Sequence, residues 1–225
     1  MWKGGRARES TGMDTSRWRP PALLAKAALA ALLALALVFP EWDRFADKAM
    51  DVRAFTYPGA VMVVALIWLL RGRDRKAPFP WDIDLLVTAP FLIDVAGNAA
   101  DLYDTVERFD DACHFANWAL LGAAAGIALH RWASLKPWVV AVSCAGMGAI
   151  AAILWEFFEY WVFILDTPET VTIYRDTIGD LMLGLAGATT AGLACAAVAV
   201  RSRSRVRPTP TPKPLKVAEL DRAAR

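Results

Sequence analysis

Six long apolar runs divide this chain, each near the ~20 residues that an α-helix needs to cross the hydrocarbon core of a bilayer. No water is at hand there for backbone N–H and C=O groups, so such a run must satisfy them internally, as a helix does. The charged residues are bunched between the runs, and 56% of the 225 residues are hydrophobic, which excludes an ordinary soluble domain. The expected fold is an all-α polytopic membrane protein of about six transmembrane helices over residues 22–200. It is flanked by a disordered basic N-terminal tail (1–21) and a disordered polybasic, proline-rich C-terminal tail (201–225). Cys113, Cys144 and Cys195 lie in apolar runs without CxxC or Cys/His spacing, so buried thiols are expected in place of a disulfide framework or zinc ribbon.

The first run, Ala22 to Phe39, follows basic residues, a pattern that also opens signal peptides. Its length exceeds the usual ~7–15-residue apolar region and no small-x-small cleavage site follows, so it reads as an uncleaved helix with Lys26 placed to snorkel. The second, Ala54 to Leu70, carries Pro58-Gly59 near its start and is expected to kink there. The third, Ile83 to Ala100, contains Pro90, Asp94 and Asn98. In the fourth, Ala112 to His130, Gly122 and Gly126 form a small-residue face that admits a neighbouring helix. The fifth, Pro137 to Leu165, is long enough to span with tilt, and the sixth, Thr177 to Val200, is glycine-rich.

Of the 25 Lys and Arg residues, 19 fall in the two tails and the connections after the second and fourth runs, against 5 in the other three connections. Cytoplasmic segments carry the excess of positive charge, which puts both termini in the cytoplasm. The C-terminal tail, Arg201 to Arg225, is expected to lie against anionic lipid headgroups. It has no aromatic platform or folded basic face, which argues against nucleic-acid binding.

This topology brings the polar residues of the last four spans to one depth near the outer leaflet. Asp94 and Asn98 end the third span, Asp110, Asp111 and His114 open the fourth, Glu156 and Glu159 approach the outer end of the fifth, and Asp176 and Asp180 open the sixth. Residues three or four apart share a helix face, so each helix can turn its own pair toward a common axis. An ionisable group inside a bilayer costs a few kcal/mol or more, which makes the deeper Asp94, Glu156, Glu159 and Asp180 the strongest functional candidates. Glu156 is the deepest, and the residue expected to be most sensitive. Asp110, Asp111 and Asp176 stand at helix starts, where capping explains them equally well.

Carboxylates grouped with one imidazole suit a divalent metal, with Asp94, Asp111, His114, Glu156, Glu159, Asp176 and Asp180 as candidate ligands. Without a metal, like charges this close hold some carboxyls protonated, which suits acid/base work or proton relay by Glu156, Glu159, His114 and Asp180. The structural alternative pairs the acids with Arg108, Arg175 and capping N–H groups. Spans one and two, without such pairs, are expected to pack outside the site.

Asp-Asp-Ala-Cys-His-Phe at 110–115, a Glu within a later span, and Asp-x-x-x-Asp leading into a glycine-rich last span resemble the pattern of VanZ-like membrane proteins and of the related YjdF-like family. Asp110 or Asp111, His114, Glu156, Glu159, Asp176 and Asp180 fall on motif positions, and the acidic pair fits the YjdF-like branch better. The resemblance implies a multi-pass protein of the bacterial cytoplasmic (inner) membrane and supplies no reaction. The sequence has no Walker loop, no GxSxG, no HExxH and no strand–glycine–helix dinucleotide fingerprint. Three functions stay open: a metal- or proton-using site acting on a lipid or envelope precursor, a proton-coupled carrier, and a structural or binding membrane protein.

Overall fold

The computed structural model describes residues 14–70, 78–133, 135–165 and 168–205, and among these the chain forms helices joined by short turns, with no strand. Most of the N-terminal tail and the C-terminal tail beyond 205, with its expected headgroup contact, lie outside the described residues. Helix α1 (Arg19–Val38) starts earlier than expected, because Pro20 and Pro21 occupy its first turn, where a missing N–H costs nothing. A single turn at Ser16–Trp18 precedes it, and the buried Thr15 hydroxyl donates to the Phe79 carbonyl at 2.8 Å. Residues 14–21 therefore belong to the folded unit.

The second apolar run is two helices, α2 (Met50–Val61) and α3 (Val63–Leu70). The break lies at Met62, whose N–H bonds the Gly59 carbonyl at 3.2 Å in place of a regular four-residue bond. Pro58 lacks the N–H that would bond Ala54, and the tightening follows it. Since α2 begins at Met50, this break falls mid-span, and Arg53 lies within the helix. The remaining helices are α4 (Trp81–Ala99), the short α5 (Leu102–Thr105), α6 (Phe109–Ala128), α7 (Pro137–Glu159) and α8 (Ile173–Arg205). Among the described residues, five stretches are long and apolar enough to cross a membrane: Ser16–Val38, Met50–Leu70, Phe109–Ala133, Pro137–Ile164 and Ile173–Arg201. The expected third span, α4, stands apart because it carries Asp82, Asp84 and Asp94.

Helix α4 packs against both α1 and α6, so its acids are answered by neighbours. Lys26 was expected to snorkel; instead its ammonium bonds Asp84 and Thr88, each at 2.8 Å, because a buried carboxylate lies within reach of its stem. Arg131, just beyond α6, grips Asp82 with two bonds of 2.5 and 3.2 Å. At the opposite end of α4, Arg44 donates to the Ala99 carbonyl at 2.8 Å and Lys48 pairs with Asp104 at 2.8 Å. These contacts fix the two ends of the bundle, with the start of α1 and the start of α4 at one end.

Helix α8 lies along α6 and α7, and small residues set the approach. A Cβ added at Gly122 would stand 3.0 Å from the Ala188 Cα, and one at Gly187 would overlap the Phe115 carbonyl oxygen. The Gly122/Gly126 face therefore meets α8. Trp118, Ala152 and Ala188 form the core of this half, while Leu29, Leu33, Tyr57, Val61 and Val95 form that of the α1–α2–α4 half. The three cysteines are free thiols, Cys113 and Cys144 buried and Cys195 partly so.

Candidate functional site

Where the connections after α1, α4 and α7 converge, a cavity of about 760 Å³ enters the bundle. One wall carries Arg53, Tyr57, Asp94, Asn98 and Tyr103, the facing wall Asp110, His114, Asn117, Glu159 and Asp176, and Phe91, Trp118, Leu121 and Trp155 contribute apolar lining. Span two thus enters the site through Arg53 and Tyr57, contrary to the expectation that it stays outside. Its helix begins a turn earlier than its apolar run, and that first turn faces the cavity.

Asp94 is fully engaged. Its Oδ2 accepts from Arg53 Nε at 2.8 Å and from the Tyr57 hydroxyl at 2.6 Å, and its Oδ1 accepts from the Tyr103 hydroxyl at 3.2 Å. Asn98 donates to the Asp94 carbonyl at 3.0 Å, one turn along the same helix. Arg53 also donates to the Lys48 carbonyl and lies over the Phe163 ring at 4.2 Å, a cation–π contact. Burial, with the Asp94 charge beside it, holds the Tyr103 phenol well above its usual range, so it serves as a donor. With its lone pairs so committed, Asp94 is the anchor of a structural network.

The facing group is different. His114, Glu156 and Asp180 are 6%, 7% and 3% exposed and come from α6, α7 and α8. His114 Nδ1 lies 3.9 Å from Glu156 Oε1, and Nε2 lies 3.8 Å from Asp180 Oδ1 and 3.7 Å from Asp110 Oδ1, all beyond hydrogen-bond distance. His114 Nδ1, Glu156 Oε1, Glu159 Oε2 and Asn117 Oδ1 are buried and make no hydrogen bond. Two sets, Asp110–His114–Asp180 and His114–Glu156–Glu159, offer ligand atoms within 4.8 Å of one another, a donor chemistry that fits a divalent cation. The two basic residues among the cavity lining are engaged elsewhere, Lys48 with Asp104 and Arg53 with Asp94, and the exposed Arg108 sits 3.8 Å from Glu107.

Backbone irregularities collect at the same end. Asp47, Ala49, Asp101 and Arg108 adopt positive φ, each in a connection bordering the cavity, at a cost of roughly 1 kcal/mol or more for non-glycine residues. Directly after Glu159 the chain widens into a π turn over Tyr160–Ile164, closed by the Leu165 N–H to the Tyr160 carbonyl at 2.8 Å. That change of register places Phe163 and Ile164 against the cavity.

The structure therefore sorts the expected candidates. His114, Glu156, Glu159 and Asp180 are brought together; Asp176 lies exposed on the cavity wall; Asp94 is ion-paired across the cavity; Asp111 is exposed and Asp110 takes the place beside His114. Arg53, Tyr57, Tyr103 and Asn117 were not singled out by sequence. Asn117, three residues after His114, carried a helical-spacing signal that could have found it.

Fold and site together define a helical, multi-pass membrane protein with a buried carboxylate–histidine group able to hold a metal. The chain belongs to the family described as predicted membrane protein (DUF2238), whose model matches residues 24–201. No curated protein and no solved structure matches it.

Proposed function

We propose that this is a multi-pass protein of the bacterial cytoplasmic membrane whose outward-facing His114–carboxylate site, charged with a divalent ion, acts on or binds a lipid or cell-envelope precursor. The reading is carried by one observation: His114, Glu156, Glu159 and Asp180 converge from three helices beside a cavity, with buried polar atoms that make no hydrogen bond. A divalent ion supplies the charge and the ligand directions those atoms need, and polarises or positions an oxygen of the bound molecule. The mixed lining, with polar walls and apolar Phe91, Trp118 and Leu121, suits an amphiphile. The basic C-terminal tail is assigned to anionic headgroups of the cytoplasmic face. The motif at Asp110–Phe115 and the Asp176/Asp180 pair support a YjdF-like relationship within the broader VanZ-like resemblance.

A proton-coupled carrier needs a polar path through the other half of the bundle. Lys26, Asp84 and Thr88 supply buried polar groups there. The apolar cluster of Leu29, Leu33, Tyr57, Val61 and Val95, with Phe91 and Leu92, packs between α1, α2 and α4 beyond Thr88, which favours the closed-site reading. The purely structural reading requires the His114 group to be satisfied internally.

Metal analysis of the purified protein beside a Glu156→Gln variant tests the proposal. Stoichiometric divalent metal in the wild type, lost in a variant that still inserts and folds, is the expected result. Metal-free wild type whose envelope phenotype is unaffected by Glu156→Gln, but abolished by removing residues 206–225, would move the activity to the cytoplasmic tail.

A further inference from the structure

Resting on the metal reading above, we infer that the site holds one divalent ion, bound by His114 Nδ1, Glu156 and Glu159, while Asp180 stands at Nε2 as the carboxylate that orients the ring. A neutral imidazole has one lone pair and one N–H, so His114 ligates through only one of its nitrogens and donates through the other. The two carboxylate sets around it are therefore not two equal sites.

Two observations choose between them, and a third fits the chosen set. Within the two sets, the buried atoms that make no hydrogen bond are His114 Nδ1, Glu156 Oε1 and Glu159 Oε2, and all three belong to the same set. On the other side, Asp180 is 3% exposed and fixed on α8, whereas the Asp110 side chain is 44% exposed toward the cavity mouth. A buried carboxylate at the distal nitrogen is what fixes the tautomer of a ligating histidine. Finally, two Glu carboxylates and one neutral imidazole balance a divalent charge, while the cavity beside Glu159 leaves coordination positions for water or a bound oxygen ligand. Nitrogen and oxygen donors select ions of the manganese, iron or zinc type over soft monovalent copper. Ligands at ~2.0–2.2 Å from an ion lie about 3–4.4 Å apart, and a set within 4.8 Å stands close to that spacing.

The chain has two histidines, His114 and His130, which makes the assignment readable by nitrogen NMR. Full-length protein in detergent, labelled with 15N-histidine and compared with His130→Gln, is titrated with Zn²⁺; Mn²⁺ affinity is measured in parallel. The expected result is one ion per chain, the His114 Nδ1 resonance moving to the metal-bound position, and Nε2 remaining protonated. Mn²⁺ affinity should fall about 100-fold or more in Glu159→Gln, about 10–100-fold in Asp180→Asn, and little in Asp110→Asn. Metallation at Nε2, or a large loss in Asp110→Asn with little in Glu159→Gln, overturns the inference and leaves the metal reading standing. Absence of saturable binding by wild type overturns both. The nitrogen assignment is made on wild-type chain, so it holds even where a ligand variant misfolds.

Discussion

Lys26 of α1 and Asp84 of α4 meet at 2.8 Å inside the bundle, and the same ammonium takes the Thr88 hydroxyl as a second acceptor. Asp84 is 1% exposed, and Lys26 is the cation set against it. Breaking a buried pair from one side costs about 3–5 kcal/mol, whereas replacing both members by apolar residues is often neutral. Lys26→Met should therefore lower stability sharply, and the Lys26→Met/Asp84→Leu double variant should recover most of the loss. Thermal unfolding in nanodiscs reads this, and a Lys26→Met variant as stable as the wild type would show that the pair is unimportant.

Tyr57 and Arg53 share one oxygen of Asp94. A hydrogen bond to a charged group contributes about 1.5–3 kcal/mol, so Tyr57→Phe should destabilise by that order while leaving metal content unchanged. Arg53→Met, which strands the carboxylate, should cost more. Loss of metal in Tyr57→Phe would mean that the two walls of the cavity form one coordination unit.

Gly187 and Gly179 lie on the same helix with opposite surroundings. A Cβ at Gly187 would meet the Phe115 carbonyl and come within 3.0 Å of the Ala119 nitrogen; at Gly179 nothing lies within 4 Å. Gly187→Ala should destabilise by about 1–3 kcal/mol through forced separation of α6 and α8. Gly179→Ala should be neutral or stabilising by up to about 1 kcal/mol, since alanine is the better helix former. Matched melting curves of the two variants decide it.

Orientation rests on the charge asymmetry of the connections, in which 19 basic residues face 5. A reporter at the C-terminal end should read as cytoplasmic, and one inserted near Thr170 as external. The reverse pattern would place the His114 cavity at the inner leaflet and remove the envelope reading.

The helices were legible because backbone satisfaction in lipid turns apolar length into helix, and their ends were misplaced only where polar residues extend them, as at Arg19, Met50 and Ile173. The spacing of His114, Glu156 and Asp180 pointed to one depth, because helical rise converts residue number into height. Two things were hidden. Asp110 and Asp111 stand four and three residues before His114 on one helix, so spacing alone does not choose which of them lies beside the imidazole. Partner choice was hidden as well: Lys26 looked bound for the interface and Arg53 carried no signal, and only three-dimensional proximity reveals that each answers an aspartate of α4.

Those pairings bear on how the protein is made. An aspartate at the centre of a helix entering the membrane costs roughly 2.5–3.5 kcal/mol, so α4, with Asp82, Asp84 and Asp94, is a poor candidate to partition on its own. Lys26 and Arg53 precede it in synthesis and are already available as counter-charges when it emerges, whereas Arg131, which holds Asp82, is not yet translated. The two deeper acids are thus matched by earlier helices and only the one nearest the α4 start waits for a later one. The counter-charges of the two deeper acids of α4 sit on α1 and α2, helices made before it, while the His114 group needs α6, α7 and α8 together.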